Sequence, residues 1–540
     1  MADYSWWRDG VIYQIYPRSF ADSDGDGLGD LGGLLAHLDY LSDLGIDAIW
    51  LSPVYPSPDR DFGYDVSDYV SIDSRFGTLA DFDELIKQAH QHGLRVIMDM
   101  VMNHTSDRHP WFQESRSSRT NPKRDWYIWR DPVPARFPFG RRQPNNWQAS
   151  FGGPAWEYDP VTGQYYLHLF TKEQPDVNWR NPLVRQAQLE AFRFWLDRGV
   201  DGFRLDVFNA YFKHPDLADN PPAFGLRGFD RQRHIHDIDQ PDMLPLLEEL
   251  RRLLDSFPER YAVGETYEAS PQKTVLYSGP QKLHAAFSFD FTSIPLIYPF
   301  TPRWLMKKIL RRETVLNEAG VWPTNVLSNH DLPRAASRYA HGENDALAKI
   351  AMALLLTLRG TPFMYYGEEI GMRDIRLSRK EILDPPGKKY WPIYQGRDGC
   401  RAPMQWDAGV NAGFSNGHPW LPLHSDFKGR NVTLQKEDPN SLLNFTRDLL
   451  RLRKQYPALH AGDFIPVQAS GGVLAYIRRT EAQSILVALN FSDHSVKFDI
   501  PPGQWEALFS SSKDPGKSLT RLLSHEARLL VNKSPGRDNS

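Results

Sequence analysis

Residues 94–104, LRVIMDMVMNH, open as a run of apolar residues and close on an amide and an imidazole, with an acid just before. A short apolar run of this kind reads as a strand covered on both faces, and its polar end marks where the chain leaves the sheet. The preceding TLADFDELIKQAHQHG (78–93) has apolar side chains at helical spacing and stops at a glycine. Further back, IDAIWLSPV (46–54) reads as a strand, LGGLLAHLDYLSDLG (31–45) as a helix and GVIYQIYP (10–17) as the first strand. Leu34, Leu35, Leu38 and Leu41 share one side of that helix, so it can cover a sheet face. Strands and helices in strict alternation predict parallel βα units.

Downstream, the rhythm lapses between about Thr105 and Thr171, where Pro, Arg, Asn and Trp accumulate without a βα pattern. That is too long for an ordinary connection and predicts an inserted subdomain. Alternation resumes with NPLVRQAQLEAFRFWLDRG (181–199), VDGFRLDV (200–207), DMLPLLEELRRLLDSF (242–257) and RYAVGET (260–266). HAAFSFD (284–290), RWLMKKILRRETVLNEAG (303–320), WPTNVLSNHD (322–331), ENDALAKIAMALLLTLRG (343–360) and TPFMYYGEE (361–369) follow, then the helical SLLNFTRDLLRLRKQYPAL (441–459). Eight strand-like runs, each followed eventually by a helix, predict an α/β protein built as a (β/α)8 TIM barrel, although doubly wound sheets share the alternation. From Gly462 onward GGVLAYIRRT, SILVALNFS and SVKFDI alternate apolar and polar residues, which predicts an antiparallel β domain. The expected organisation is a barrel over 1–104 and 171–461, an insert over 105–170 after strand three, and a C-terminal β-sandwich over 462–540.

Composition removes several classes. The 540 residues are 41% hydrophobic with a formal net charge of −4 and no long Lys/Arg run, which speaks against a nucleic-acid partner. The single cysteine, Cys400, excludes an intrachain disulfide framework and a thiolate zinc cluster. MADYSWWRDG lacks the basic and apolar segments of a signal peptide, and no run of about 18 apolar residues suggests a membrane span. The expectation is a cytoplasmic protein, monomer or homodimer, acting on small molecules.

In a barrel the C-terminal strand ends face the active site. Strand three ends in Asp99 and runs on to Asn103 and His104; strand four carries Arg204 and Asp206; strand five ends in Glu265; strand seven leads to His330 and Asp331. Arg204 and Asp206 are two apart and so face the same way, and a cation beside Asp206 is expected to keep it ionised. A lone acid at a strand end is usually a cap, and a lone buried histidine is usually just hydrogen-bonded. Carboxylates from several strand ends, with one arginine and two histidines, are instead the equipment for breaking an acetal. One carboxylate attacks the anomeric carbon and a second, kept protonated by its surroundings, protonates the leaving oxygen.

On these motifs the chain resembles glycoside hydrolase family 13, the α-amylase family. DMVMNH (99–104), GFRLDVFN (202–209), VGETYE (263–268) and VLSNHD (326–331) are similar to its four main regions, in order. QPDVN (174–178) resembles the signature of the oligo-1,6-glucosidase branch, and GVIYQIYPRSF (10–20) and GTPFMYYGEEIG (360–371) resemble outer signatures. The resemblance implies Asp206 as nucleophile, Glu265 as acid/base and Asp331 as transition-state stabiliser, with Arg204, His104 and His330 lining the same subsite. DFGYD (61–65) is similar to that branch's non-reducing-end pocket, which implies that Tyr64 stacks on the terminal glucose and Asp61 holds its hydroxyls. In GRDGCRAPMQWD (396–407), Arg397 is implied to pair with Asp61 and close the pocket, with Arg401 the neighbouring candidate. Phe151 and Phe170 are candidate aromatic walls, core packing being the other reading.

The implied activity is a retaining, exo-acting α-glucosidase on maltose and short α-glucosides that also transfers glucose to other acceptors. Val207 after the nucleophile leans towards α-1,6 cleavage, whereas YFKHPDLADNPPAFG (211–225) resembles enzymes acting on α-1,4 substrates. The α-1,4 reading is favoured, with oligo-1,6-glucosidase as the alternative. Sucrose- or trehalose-type transferases and isomerases would share the catalytic set, but the RLDRD-like segment of sucrose isomerases is absent.

One acidic loop stands apart. In DSDGDGLGD (22–30), Asp22, Asp24 and Asp26 match positions one, three and five of a calcium loop, the Leu28 carbonyl position seven and Asp30 position nine. Position twelve is Gly33, so a calcium-sensor hand is not expected. The branch has a divalent-cation site at the matching loop, which implies a structural Ca²⁺, with Mg²⁺ the alternative; the bland reading is a solvated acidic turn.

Overall fold

The computed structural model describes residues 4–134, 141–292, 301–339, 344–469, 471–513 and 518–532; residues 135–140 of the expected insert and 533–540 of the expected C-terminal domain lie outside them. Eight parallel strands form one sheet: β1 (Ile12–Ile15), β2 (Ala48–Leu51), β3 (Arg95–Met100), β4 (Gly202–Leu205), β5 (Tyr261–Gly264), β6 (Ala285–Ala286), β7 (Thr324–Val326) and β8 (Thr361–Tyr365). Neighbours in sequence pair, all but β6 with β7, and β1 closes on β8, as a barrel requires. The one seam, between β6 and β7, is bridged by a side chain: the Thr324 hydroxyl accepts from Ser288 N at 3.0 Å and donates to the Ala286 carbonyl at 3.3 Å. The expected (β/α)8 architecture stands.

Period-two alternation sorts each strand into an inner and an outer face. Ile12, Ala48, Trp50, Ile97, Tyr261, Val263, Ala285, Val326 and Phe363 pack together as the barrel interior. Counting on in twos from that layer, Gly202 leads to Arg204 and Asp206, Val263 to Glu265, and Ile97 to Asp99. The strands that fill the core therefore deliver charge to one mouth. Register reinforces this, because Arg204 lies directly beside Asp99 on β3 and beside Val263 on β5.

The outer faces meet amphipathic helices. Helix Leu79–Gln91 opens on a capping box between Thr78 and Asp81 and buries Phe82, Leu85, Ile86 and Ala89. Helix Asp345–Thr357, capped by Asn344, is buried almost all round, since it lies between the barrel and the C-terminal sheet. The expected single helix over 31–45 is two, Leu31–Leu35 and Leu38–Leu44. His37 leaves the helical region, and its ring Nδ1 reaches the Gly33 carbonyl at 2.7 Å instead. Leu34, Leu38 and Leu41 are buried as expected, whereas Leu35 is half-buried.

Between β3 and helix Pro182–Asp197, the insert forms helix Pro110–Ser117 and a three-stranded antiparallel sheet, Trp129–Arg130, Gln164–Leu167 and Trp156–Asp159. Bridges from His104 to Asp176 and from Tyr127 to Val177 tie its ends to the barrel mouth. The C-terminal region is a five-stranded antiparallel sheet with a two-stranded ribbon, Val496–Lys497 with Arg521–Leu522. It is keyed to the barrel by Arg478, whose guanidinium donates to the Thr357 carbonyl at 2.6 Å. Among the described residues, no helix is long and apolar enough to cross a membrane.

Candidate active site

At the barrel mouth a cavity of about 190 Å³ is lined by Asp61, Tyr64, His104, Phe151, Phe170, Asp206, Val207, Glu265, Thr266, Tyr267, Asp331 and Arg397. All of these but Thr266 and Tyr267 are residues singled out from the sequence. Arg204 and His330 sit behind the lining, both fully buried. The space is below the several hundred Å³ of drug-sized sites, which suits one sugar ring rather than a cleft for a chain.

Arg204 organises the floor. Its Nη1 donates to Asp99 Oδ1 and to Asp206 Oδ1, both at 2.7 Å, and its Nη2 pairs with Glu265. One guanidinium thus serves three carboxylates. Burial pushes Asp206 up, Arg204 pulls it back, and Asp99 and Asp331 push it up again, to about 7. Arg204 favours the ionised form of Asp206 as an adjacent cation should, but it is shared three ways, and desolvation and two further negative charges act against it. Burial likewise raises Glu265 against the pull of Arg204, and the charges of Asp206 and Asp331 take it to about 8. The three carboxylates titrate as a set, with Glu265 the last to lose its proton.

Asp331 behaves oppositely. Burial alone would raise it, but the His330 N–H, Arg397 and Arg401 hold it well below the usual carboxylate range. Arg397 Nη1 and Arg401 Nη2 approach Asp331 Oδ1 at 3.2 and 3.0 Å. Arg397 also donates to Asp61 Oδ1 at 2.6 Å and to Asp384 Oδ1 at 2.6 Å, and its guanidinium carbon lies 4.9 Å from the Phe151 ring centre. Of the two arginines considered, Arg397 makes the Asp61 contact, while Arg401 turns to Asp331 and the His330 carbonyl.

The histidines are committed to protein partners. Burial drives His330 down to about 3, so its ring is neutral. Gln14 Nε2 lies 2.7 Å from Nδ1, which leaves Nε2–H for the Tyr64 hydroxyl at 2.7 Å and Asp331 Oδ2 at 3.2 Å. Tyr64 in turn donates to Asp99 Oδ2 at 3.0 Å and stacks on the His330 ring at 5.2 Å, so one face of the phenol is already occupied. His104 Nε2 reaches the Tyr64 carbonyl at 3.0 Å, and its Nδ1 faces Asn103 Nδ2 at 3.2 Å, which Lys213 orients at 3.0 Å. A hydroxyl that bonds either ring has to displace an existing partner. Val207 adopts a left-handed backbone at φ 34°, a strained choice for a β-branched residue beside the pocket.

The family whose model carries the description alpha amylase, catalytic domain, matches residues 14–462. The chain belongs to the α-amylase family. A maltogenic amylase, C-terminal domain, matches residues 464–517 of this α-amylase-family chain. It is 43% identical over 542 residues to a probable alpha-glucosidase of Rhizobium meliloti (strain 1021), covering 98% of this chain and 96% of that one. It is 41% identical over 526 residues to an oligo-1,6-glucosidase of Parageobacillus thermoglucosidasius, covering 92% of each. The solved alpha-glucosyl transfer enzyme XgtA superposes with a TM-score of 0.92 at 42% identity, over 98% of this chain and 100% of that one.

Within this α-amylase-family site, four contributors had no assigned part in the sequence reading. Gln174 Nε2 donates to Asp61 Oδ2 at 3.2 Å and lies 3.1 Å from the Tyr64 carbonyl, and it stands in the QPDVN motif, which marked the place but not the role. Asp384 faces Arg397 from the start of helix Pro385–Tyr390 and carries no local signal, and Gln14 sets His330 from β1, where the GVIYQIYPRSF motif marked the place but not the role. Tyr267, two residues past Glu265, lines the pocket with its hydroxyl fixed on Ser150 Oγ at 2.7 Å.

The acidic loop lies apart from the cavity. Asp22, Asp24 and Asp30 bring carboxylate oxygens within 4.8 Å of one another, and Asp26 is not among them. Asp26 Oδ1 instead accepts the Leu28 N–H at 2.7 Å. Asp22 accepts from the N–H groups of Asp24, Gly25 and Gly27, and Asp30 caps helix Leu31–Leu35 by accepting from Gly33 N and also holds Ser23. A trio of hard oxygens matches the chemistry of Ca²⁺ or Mg²⁺, and the same oxygens also hold the loop together directly.

Proposed function

We propose that this protein is a retaining, exo-acting α-glucosidase that releases glucose from the non-reducing end of maltose and short α-glucosides. One observation carries the reading: carboxylates from three strand ends converge on Arg204 in a one-ring cavity whose far wall is closed by the Asp61–Arg397 pair at 2.6 Å. A closed wall admits a chain end and excludes a chain interior. In the proposed mechanism Asp206, the more acidic of the Arg204-linked pair at the mouth, attacks the anomeric carbon as Glu265 gives its proton to the departing oxygen. Water then adds to the covalent glucosyl–Asp206 ester, with Glu265 now taking the proton. Asp331, held ionised by Arg397 and Arg401, stabilises the positive charge that develops on the sugar. Tyr64, His104, Phe151, Phe170 and Arg204 shape the same subsite, with His330 supporting Tyr64 from behind.

When an alcohol or sugar replaces water at the second step, the outcome is transglucosylation, and the likeness to an alpha-glucosyl transfer enzyme supports that capacity. A second reading, oligo-1,6-glucosidase, is favoured by Val207 at the pocket wall and by the name of a relative 41% identical. Initial rates on maltose, isomaltose, sucrose and trehalose, with Asp206→Asn as control, test both: the expected order puts maltose first, and isomaltose first would select the second reading. Full activity in the control would remove the catalytic assignment. We further assign a structural Ca²⁺ to the first loop, with Asp22, Asp24 and Asp30 as its carboxylates and the Leu28 carbonyl and Asp26 as outer contributors, and the enzyme to the cytoplasm, which suits a lone buried cysteine.

A further inference from the structure

The segment that carries Asp61 is held in an unusual way. Between Ser57 and Asp65 the chain makes a tight turn, with Tyr64 N donating to the Asp61 carbonyl at 3.0 Å. Two non-glycine residues in it, Asp59 at φ 63° and Phe62 at φ 50°, sit in the left-handed region, where only glycine is at ease. Such a turn persists only where its surroundings over-determine it.

Arg18 and Arg75 hold Asp59 from one side, and the carboxylate that ties the Asp61 end is Asp65, fully buried at the base of the turn. Its Oδ1 accepts from Ser57 Oγ at 2.7 Å and from Asp61 N at 3.0 Å, and its Oδ2 accepts from Arg60 N at 3.0 Å. Among the described residues no cation pairs with it, in contrast to Asp61, Asp206, Glu265 and Asp331, each of which faces an arginine. Burial pushes its carboxyl up to about 6, so at neutral pH the ionised form makes all three bonds. A buried charge satisfied only by backbone N–H groups and one hydroxyl costs desolvation without an ion pair in return. Its effect is to fix the direction in which the Asp61 side chain leaves the turn.

We propose that Asp65 is a positioning residue for substrate binding: by gripping the Asp61 amide from inside the turn it holds the Asp61 carboxylate against Arg397, and so sets the wall that recognises the non-reducing end. The inference rests on the reading of Asp61 and Arg397 as that wall. It predicts a defect in binding rather than in chemistry, because a wall that meets the sugar equally in ground state and transition state changes KM and not kcat.

Asp65→Asn tests it. The amide keeps the shape but turns an NH₂ towards one of three donors, breaking one charge-assisted bond or more. KM for maltose is expected to rise about tenfold or more with kcat within about threefold. Ser57→Ala, which removes one of the three bonds, is expected to raise KM about threefold in the same direction, and it keeps the test open if Asp65→Asn does not fold. Because Asp65 acts through Asp61, Asp61→Asn/Asp65→Asn is expected to match Asp61→Asn alone. If Asp65→Asn lowers Tm with KM unchanged, or lowers kcat while KM stays fixed, or if both folded variants keep wild-type KM, the inference is overturned. If Asp61→Asn itself leaves KM unchanged, the wall reading fails first and takes the inference with it.

Discussion

Two clusters of carboxylates use the same chemical group for opposite ends. In the loop 22–30, Asp22 is half-buried, Asp24 exposed and Asp30 buried, and their oxygens are filled mainly by N–H groups of their own loop. At the barrel mouth, Asp99, Asp206, Glu265 and Asp331 are drawn from four different strand ends and face guanidinium groups and each other. The first arrangement makes each carboxylate a local tie, so its loss is felt as geometry. The second forces charges together in a poorly solvated space, separating groups pushed up to about 7 and about 8 from one held well below the usual range. Separated proton affinities make a set of acids into a division of labour. Sequence spacing is regular in the first cluster and scattered in the second, and it is the scattered one to which we assign the chemistry.

The comparison breaks if the two clusters respond alike to substitution. The largest expected effect is at the mouth: Glu265→Gln should lower kcat on maltose by about 10² to 10⁴-fold, the worth of a positioned general acid, with a smaller loss on a phenyl α-glucoside whose leaving group needs less help. Equal losses on both substrates would remove Glu265 as the acid. Next, Arg397→Ala leaves Asp61 and Asp384 buried without their cation and should destabilise by about 3–5 kcal/mol in urea unfolding, besides raising KM. In the acidic loop, Asp30→Ala removes a helix cap and should cost about 1 kcal/mol with kcat unchanged. Chelation should lower Tm more than it lowers activity; no shift in either would leave the loop as an acidic turn.

A pH experiment sharpens the same contrast. Glu265 has a folded value raised to about 8 from an ordinary 4.5, so the folded state holds its proton longer than the unfolded chain does. A raised carboxyl contributes no penalty below the unfolded value, and its penalty grows as pH climbs towards about 8. Glu265→Gln should therefore raise Tm more at pH 8.5 than at pH 5.5. Asp331 has the opposite sign: its low folded value favours the native state above the ordinary range and loses that advantage only in acid. For catalysis, kcat/KM should form a narrow bell, with the acid limb falling as Asp206 gains a proton near 7 and the alkaline limb as Glu265 loses one near 8.

Much of the fold was legible because its information is local. The strands of the barrel are short apolar runs, the helices carry capping residues such as Thr78 and Asn181, and glycine closes the helix before β2 at Gly45. Asp206 and Glu265 fall in phase with the core layer when residues are counted in twos, whereas Asp331 is out of phase with Val326, and the roles of all three are what the family resemblance implies. What stayed hidden depends on distance. Asp384 and Arg397 are 13 residues apart, yet the other partner of Arg397, Asp61, lies 336 residues away from it in sequence, and no periodicity links them. The choice between Arg397 and Arg401 needed coordinates for the same reason. The split at His37 was missed because its cause is a side-chain bond to the Gly33 carbonyl, which competes with the helix. The sequence shows that Arg204 is adjacent to Asp206 but not that it is shared with Asp99 and Glu265.

The central claim is that Asp206 forms a covalent bond to glucose. It is tested most directly by incubating the enzyme with a slow-turnover fluorinated α-glucosyl fluoride, digesting it, and locating the added mass by tandem mass spectrometry. The account predicts a single glucosyl adduct on the peptide that contains Asp206, absent from Asp206→Asn. An adduct on Glu265 or Asp331, or inhibition with no adduct at all, would contradict it.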